Sequence, residues 1–424
     1  MFSKISQLFK IKDLRNKILT VLGWLVVFRL LATIPIPGID PVQLKNFLSS
    51  SQLFGFFNIF SGGGLSNLSI MMLGVGPYIT ATIIMQLLTM IFPSLKVMYY
   101  EEGNVGRAKF NRYSRYLTVP LAILQSYGFL NILISQNVLP KLTFFGTVTN
   151  VMSVTAGSLI LMWIGELITE QKIGNGTSLI IFAGIVSRIP QALRTAFFSY
   201  QSDLIPTYVI FALVSIVVIA GVVFISEGER KIPISYSKRI RGTKVYGGAS
   251  SYLPLKVNQA GVIPIIFAIS ILLFPQFFAQ IMAVFSHDLS LRLNDLVNRF
   301  LNNLIIYSII YFILVVVFTY FYTAITFDPK EISKNLQRSG GFIPGIRPGE
   351  PSGEFLTKVT RRITLFGALF LGLIAVLPNV TRLFTGIQTL TIGGTALLIV
   401  VAVALETMKQ VDSQLVMREY EGIQ

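Results

Sequence analysis

The chain has 424 residues, 53% hydrophobic and 13% charged, with a mean hydropathy of +0.69; soluble chains carry about 25% charged residues, so the composition specifies a polytopic membrane protein. Lys and Arg number 35 against 19 Asp and Glu, a net +16, which suits anionic lipid head groups, nucleic acid or an acidic protein surface. There is no cysteine and a single histidine, His287, so disulfides, thiol catalysis and histidine-rich metal or catalytic sites have no residues to build them.

A spanning helix needs about 20 mostly apolar residues. Ten stretches qualify: 18–36, 72–92, 117–135, 152–169, 177–198, 206–226, 258–284, 302–324, 363–379 and 389–408. The expected fold class is therefore an all-α membrane protein of ten transmembrane helices. The first stretch follows a basic segment, is too long for the apolar core of a signal peptide and precedes no small-residue cleavage site, so it reads as a retained span. With the N-terminal segment inside, inner segments hold 27 Lys and Arg and outer loops 5. The positive-inside rule then predicts both termini in the cytoplasm.

Arg29 is the one charge well inside a span, and a structural role toward backbone carbonyls is expected for it. Glu166 and Glu406 fall near cytoplasmic helix ends, where snorkelling or pairing accounts for them. The second apolar region, "NIFSGGGLSNLSIMMLGVGPYITATIIMQLL", is interrupted. Its front part is short and glycine-rich, a Gly-Val-Gly-Pro break follows at 74–77, and Pro77 suits the first turn of the helix beyond. Irregular backbone at membrane depth is tolerated only where protein buries it or it lines a watery cavity. The turn "EQKIGNGTS" (170–178) is expected to use Gly174 and Gly176 for left-handed geometry and Thr177 or Ser178 as the next helix cap. Gln86, Gln125 and Asn258 are polar residues at or near spans two, three and seven, with interhelical hydrogen bonding as their plain role.

Two inner loops, 227–257 and 325–362, each carry 7 Lys and Arg. Loops this long are usually functional or disordered. These mix tyrosines and isoleucines with their charges, and "IPGIRPGE" (343–350) is a Pro/Gly-stiffened tip that would hold Arg347 outward. A docking surface for a cytoplasmic partner is the favoured reading over simple orientation. No catalytic constellation is present: "SGGGL" lacks the lysine of a phosphate loop, HExxH does not occur, and His287 has no ligand partners in sequence. A coupled solute transporter with a discontinuous helix would need ionisable midplane residues, which are nearly lacking here.

"FRLLATIPIPGID" (28–40), "FNIFSGGGLSNLSIMMLGVGPYITATIIMQLL" (57–88), "GELITEQKIGNGTSLIIFAGIV" (165–186), "YLPLKVNQAGVIPIIFAISILLFP" (252–275) and "GFIPGIRPGE" (341–350) closely resemble the bacterial SecY family, from span one to span ten. The resemblance implies a protein-conducting channel without enzymatic activity or cofactor, in a bacterial plasma membrane. It implies two pseudo-symmetric halves, 1–204 and 205–424, around an hourglass pore. The pore ring would be Val75, Ile79, Thr177, Ile181, Ile266 and Ile399, where Thr177 departs from the family's aliphatic preference. A plug at about 58–69 would include Phe60, Ser61, Gly62, Gly63, Gly64 and Leu65. Its small side chains make few dispersion contacts, so it is expected to bury little and leave cheaply. Gln86, Gln125 and Asn258 map near a lateral gate. Arg239, Arg241, Lys244, Lys334, Arg338 and Arg347 would dock the SecA motor or the ribosome. SecE and SecG are implied as membrane partners, and signal sequences, nascent polypeptides and membrane lipid as what the channel handles.

Overall fold

The computed structural model describes residues 11–36, 64–65, 68–135, 138–140, 142–190, 194, 205–236, 239–241, 244–246, 250–285, 292–293, 295–297, 299, 303–385 and 393–421. They fall into two compact units. One comprises 1–206, 270–302 and 403–424, the other 207–269 and 303–402.

In the first unit α1 runs Lys12–Leu31, α2 Gly76–Ile91, α3 Pro93–Tyr100, α4 Gly103–Ser135, α5 Phe144–Glu170 and α6 Gly176–Val186. Helix α2 begins where expected, with Pro77 in its first turn. It ends at Phe92, which is extended (φ −105°, ψ 109°), the conformation that a following proline imposes. Helix α3 then departs at 112°. The basic stretch 93–116 is helical: α4 starts at Gly103 and its buried Phe110 packs on Tyr99, ring centroids 4.7 Å apart. Helices α2, α4 and α5 pack in sequence on one another. Ser126 and Thr155 meet at 3.3 Å in the α4–α5 seam, the kind of interhelical polar pair that apolar surroundings favour.

In the second unit α7 (Ile205–Glu227, its last residues from 207 onward), the start of α8 (Ile263–Phe285), α9 (Leu304–Thr326), α10 (Pro329–Arg338) and α11 (Glu350–Thr385) accompany a small sheet. Helix α12 is Gly393–Glu421. The first basic loop is not an open excursion. Its β1 (Glu229–Tyr236) and β4 (Ser250–Lys256) pair antiparallel from Glu229↔Lys256 to Ser235↔Ser250. Between them β2 (Arg239–Arg241) and β3 (Lys244–Tyr246) form a separate ribbon. Strand β5 (Gly341–Phe342), from the second basic loop, pairs with β1 and completes a three-stranded sheet in the order β4-β1-β5. The two loops thus share one fold. Ile232, Leu255, Ile343, Leu356 and Val359 form its core, with Ile332 and Leu336 of α10 packed against it. Alternation along β1 sends Ile232 and Ile234 inward and leaves Lys231 and Pro233 exposed, as a one-sided sheet requires.

Among the described residues four helices are long and apolar enough to cross a membrane, five if the bent pair α2–α3 is one span. The apolar parts of α6, α7 and α8 are shorter.

Leu255 is fully buried in the extramembrane core. Leu255→Ala should cost about 2–5 kcal/mol locally. Hydrogen exchange is expected to quicken at the β1 and β4 amides while α4 and α5 keep their protection.

Candidate functional site

The break in the second apolar region is held by main-chain pairing. Pro35 and Ser69 form an antiparallel bridge, the Ile36 N–H donates to the Leu68 carbonyl at 2.9 Å, and the Ile70 N–H donates to Ile34 at 3.1 Å. Leu68 sits at φ +38° and Gly74 at φ +59°. Helix α5 closes over the segment. A Cβ on Gly157 would stand 2.1 Å from the Ile70 carbonyl oxygen, and Ser158 Oγ donates to the Gly74 carbonyl at 3.0 Å. The expected burial of irregular backbone by protein is therefore met, by named groups.

Phe60, Ser61, Gly62 and Gly63 lie outside the described residues. Gly64 and Leu65 are described, and they correct the expectation of slight burial: Gly64, Leu65, Leu68 and Ser69 are all buried. A Cβ on Gly64 would come within 2.7 Å of the Met71 carbonyl oxygen. Glycine is needed there for close backbone approach rather than for easy release.

Val75 and Ile79 are buried at the start of α2, and Ile181 is buried in α6. In the second unit Ile266 and Ile399 are buried in α8 and α12. Thr177 is half-buried in the first turn of α6, where a methyl on Gly165 would lie 3.6 Å from its hydroxyl, so it stands at the α5–α6 seam. The preceding turn differs from expectation. The left-handed residue is Lys172 (φ +58°), and neither Gly174 nor Gly176 is among the positive-φ glycines. Asn175, not Thr177 or Ser178, caps α6 by accepting from the Ser178 N–H at 3.2 Å. Gly176 is required because a Cβ would fall 1.9 Å from the Gly165 carbonyl oxygen; its N–H donates to Thr169 Oγ1 at 2.9 Å.

Arg29 is in the last turn of α1, where the helix dipole favours a cation. Glu166 pairs with Arg115 at 2.9 Å. Gln86 and Gln125 are buried in the first unit, Asn258 half-buried in the second. Asn258 Nδ2 donates to the Gly261 carbonyl at 3.2 Å, yet its Oδ1 and the Oε1 of Gln86 are buried acceptors with no donor among the described residues. Such groups carry a desolvation cost until a donor arrives.

Lys334 and Arg338 are exposed on α10, and Arg347 is exposed at the loop tip. Gly345 (φ +81°) and Gly349 (φ +95°) turn that tip. It is pinned by Ser352 Oγ to the Arg347 carbonyl at 2.8 Å and by Ser333 Oγ to the Gly349 carbonyl. The expected stiff tip is present. Arg239 and Arg241 on β2 share the ribbon with Lys244 on β3, Arg241 opposite Lys244. Sequence reasoning missed Gly157 and Ser158; their only signal was a small-residue pair inside an apolar helix, a common packing mark. It also missed the buried Asn379–Ser308 hydrogen bond at 2.9 Å that ties α11 to α9.

An α-helical membrane protein with a protein-buried discontinuous span and a folded basic extramembrane module is the class defined here. The SecY family model matches residues 69–408, and the chain belongs to the SecY family. It is 43% identical over 443 aligned residues to the "Protein translocase subunit SecY" of Streptomyces scabiei, covering 100% of this chain and 99% of the relative. It is also 43% identical to that of Corynebacterium glutamicum, with 99% of each covered. Among solved structures, one described as "The structure of a protein conducting channel" aligns with a TM-score of 0.63 at 20% identity, covering 92% of this chain and 90% of that one. "Sec61 in the Canine ribosome-channel complex from the endoplasmic reticulum" aligns at 0.61 and 19%, with the same coverage.

With no native cysteine, Ser69→Cys gives a single thiol buried behind the break. It should react slowly with maleimide in the otherwise unaltered chain. Adding Gly157→Val, which cannot fit against Ile70, should raise the labelling rate at least tenfold, about 1.4 kcal/mol of lost closure.

Proposed function

We propose that the chain is the channel subunit of a protein translocase. It passes unfolded secretory polypeptides across a bacterial plasma membrane and releases apolar helices sideways into lipid. Full-length likeness to protein translocase subunits, 43% over 100% of the chain, carries this reading. The protein-buried broken span supports it independently. The chain works as a conduit rather than an enzyme, with both termini cytoplasmic and ten spans arranged in halves 1–204 and 205–424.

Val75, Ile79, Thr177, Ile181, Ile266 and Ile399 form the pore ring. Buried aliphatic side chains suit a gasket that dewets against ions and yields to a passing chain. The segment 58–69 is the plug, and its described residues Gly64, Leu65, Leu68 and Ser69, all buried, form an anchored part of it. Gln86, Gln125 and Asn258 line the lateral gate. The orphaned acceptors on Gln86 and Asn258 favour this, since a closed gate or an arriving chain would supply donors. SecE and SecG are its membrane partners. SecA or the ribosome docks on Arg239, Arg241, Lys244, Lys334, Arg338 and Arg347, because a stiff, exposed arginine tip on a folded basic module suits an anionic or acidic surface.

Ile79→Asn with Ile266→Asn should raise ion conductance of proteoliposomes several-fold and admit chains with weakened signal sequences; unchanged conductance would remove the gasket. Arg347→Glu should abolish SecA-driven transport or ribosome binding while leaving the resting seal intact. If both driven activities persist, docking lies elsewhere. Deleting 61–67 should weaken the seal more than transport, and complete loss of transport would make the segment a structural hinge.

A further inference from the structure

Beyond conduction, we infer that the groove between α10 and the first turns of α11 holds the head group of one anionic phospholipid, whose acyl chains lie on α9 and α11. The groove has a volume of about 1130 Å³ and belongs wholly to the second unit. Its walls carry five cations, Lys330, Lys334, Lys358, Arg361 and Arg362, against two carboxylates, Glu350 and Glu354. All seven side chains are exposed, and none of the five cations takes part in an ion pair among the described residues.

The order of side chains along α11 identifies the ligand. Residues four apart share a helix face. Glu350 and Glu354 come first, then Lys358 with Arg361 and Arg362, then Leu365, which also lines the groove. Leu369 and Leu373 continue the row, 40% and 63% exposed. On α9 the exposed Ile309, Ile313 and Val317 lead up to Tyr320, whose hydroxyl donates to the Arg361 carbonyl at 3.4 Å and lines the groove. The two helices pack closely: a Cβ on Gly372 would lie 2.8 Å from the Phe312 ring. Two apolar lanes therefore converge on the cations, with tyrosine at the junction and carboxylates on the far side. A phosphodiester attached to two acyl chains matches that sequence of surfaces. Guanidinium groups bind phosphate oxygens bidentately, and basic pockets at a span's end select acidic head groups. An acidic peptide would satisfy the cations but leave the lanes unused.

The inference requires α9 and α11 to lie in a membrane and does not depend on polypeptide conduction. The full-length protein in mild detergent can be titrated with phosphatidylglycerol or phosphatidylcholine and retained lipid counted by native mass spectrometry. Phosphatidylglycerol should be retained preferentially. Each cation removed should weaken retention about fivefold, so K358Q/R361Q/R362Q should lower it by well over tenfold without changing phosphatidylcholine. E354Q, which preserves every cation, should strengthen it and tests the idea even if the triple variant fails to fold. Equal retention of the two lipids, or no response to either variant, overturns the proposal. So does displacement by soluble glycerol phosphate at similar concentration, which would make this a free-phosphate site. Loss of ribosome or SecA binding in the triple variant with lipid retention unchanged would assign the groove to a protein or RNA partner instead. A translocation assay on the same variants reports separately on conduction.

Discussion

The constraint on which the first unit depends is the satisfaction of backbone polar groups where the second span is broken. In hydrocarbon an unpaired N–H or C=O costs several kcal/mol, so a break is possible only where other groups replace the missing helical bonds. The stretch after α1 supplies two of them through Ile34 and Ile36, and Ser158 of α5 supplies a third. Gly157 lets α5 approach closely enough for this to occur. A helix can then restart at Gly76 with its first buried side chains, Pro77 and Ile79, already placed. The break is thereby held by hydrogen bonds from other segments in place of the missing helical ones.

The second unit solves a different problem. Fourteen of the chain's cations lie in the two loops counted above, 7 in each, and charge repulsion would keep such loops apart and extended. A small apolar core around Leu255 and Leu356, together with the β1–β5 pairing, offsets that repulsion and joins the two loops in one sheet. The tip carrying Arg347 is fixed by hydroxyls from α10 and the start of α11. Charge on that body is graded along α11 from acidic to basic to apolar, which places its cations beside the apolar lanes.

Much of this was legible in the residues. Pro77 marked the restart of α2, and the Pro/Gly tip marked a stiff turn. Aliphatic side chains at Val75, Ile79, Ile181, Ile266 and Ile399 are each buried within their own unit. Expectations failed where a residue's role depended on what lies across from it. Gly174 and Gly176 were read as turn glycines from local preference, but Lys172 takes the left-handed conformation and Gly176 serves a contact with Gly165. Gly64 was read as a loose residue, but it is packed against Met71.

Composition, the period of apolar stretches and the placement of Lys and Arg were enough by themselves to specify a helical membrane protein, the site of its broken span and its two basic loops. These are properties of solvent transfer, and each residue contributes to them wherever its neighbours lie. Only tertiary structure decided that Ser69 pairs with Pro35, that Gly157 must be glycine, and that both basic loops complete one sheet. Those outcomes rest on hydrogen bonds and contacts between segments distant in the chain, such as Ser158 with Gly74 or β1 with β5. Local sequence carries no record of such distances.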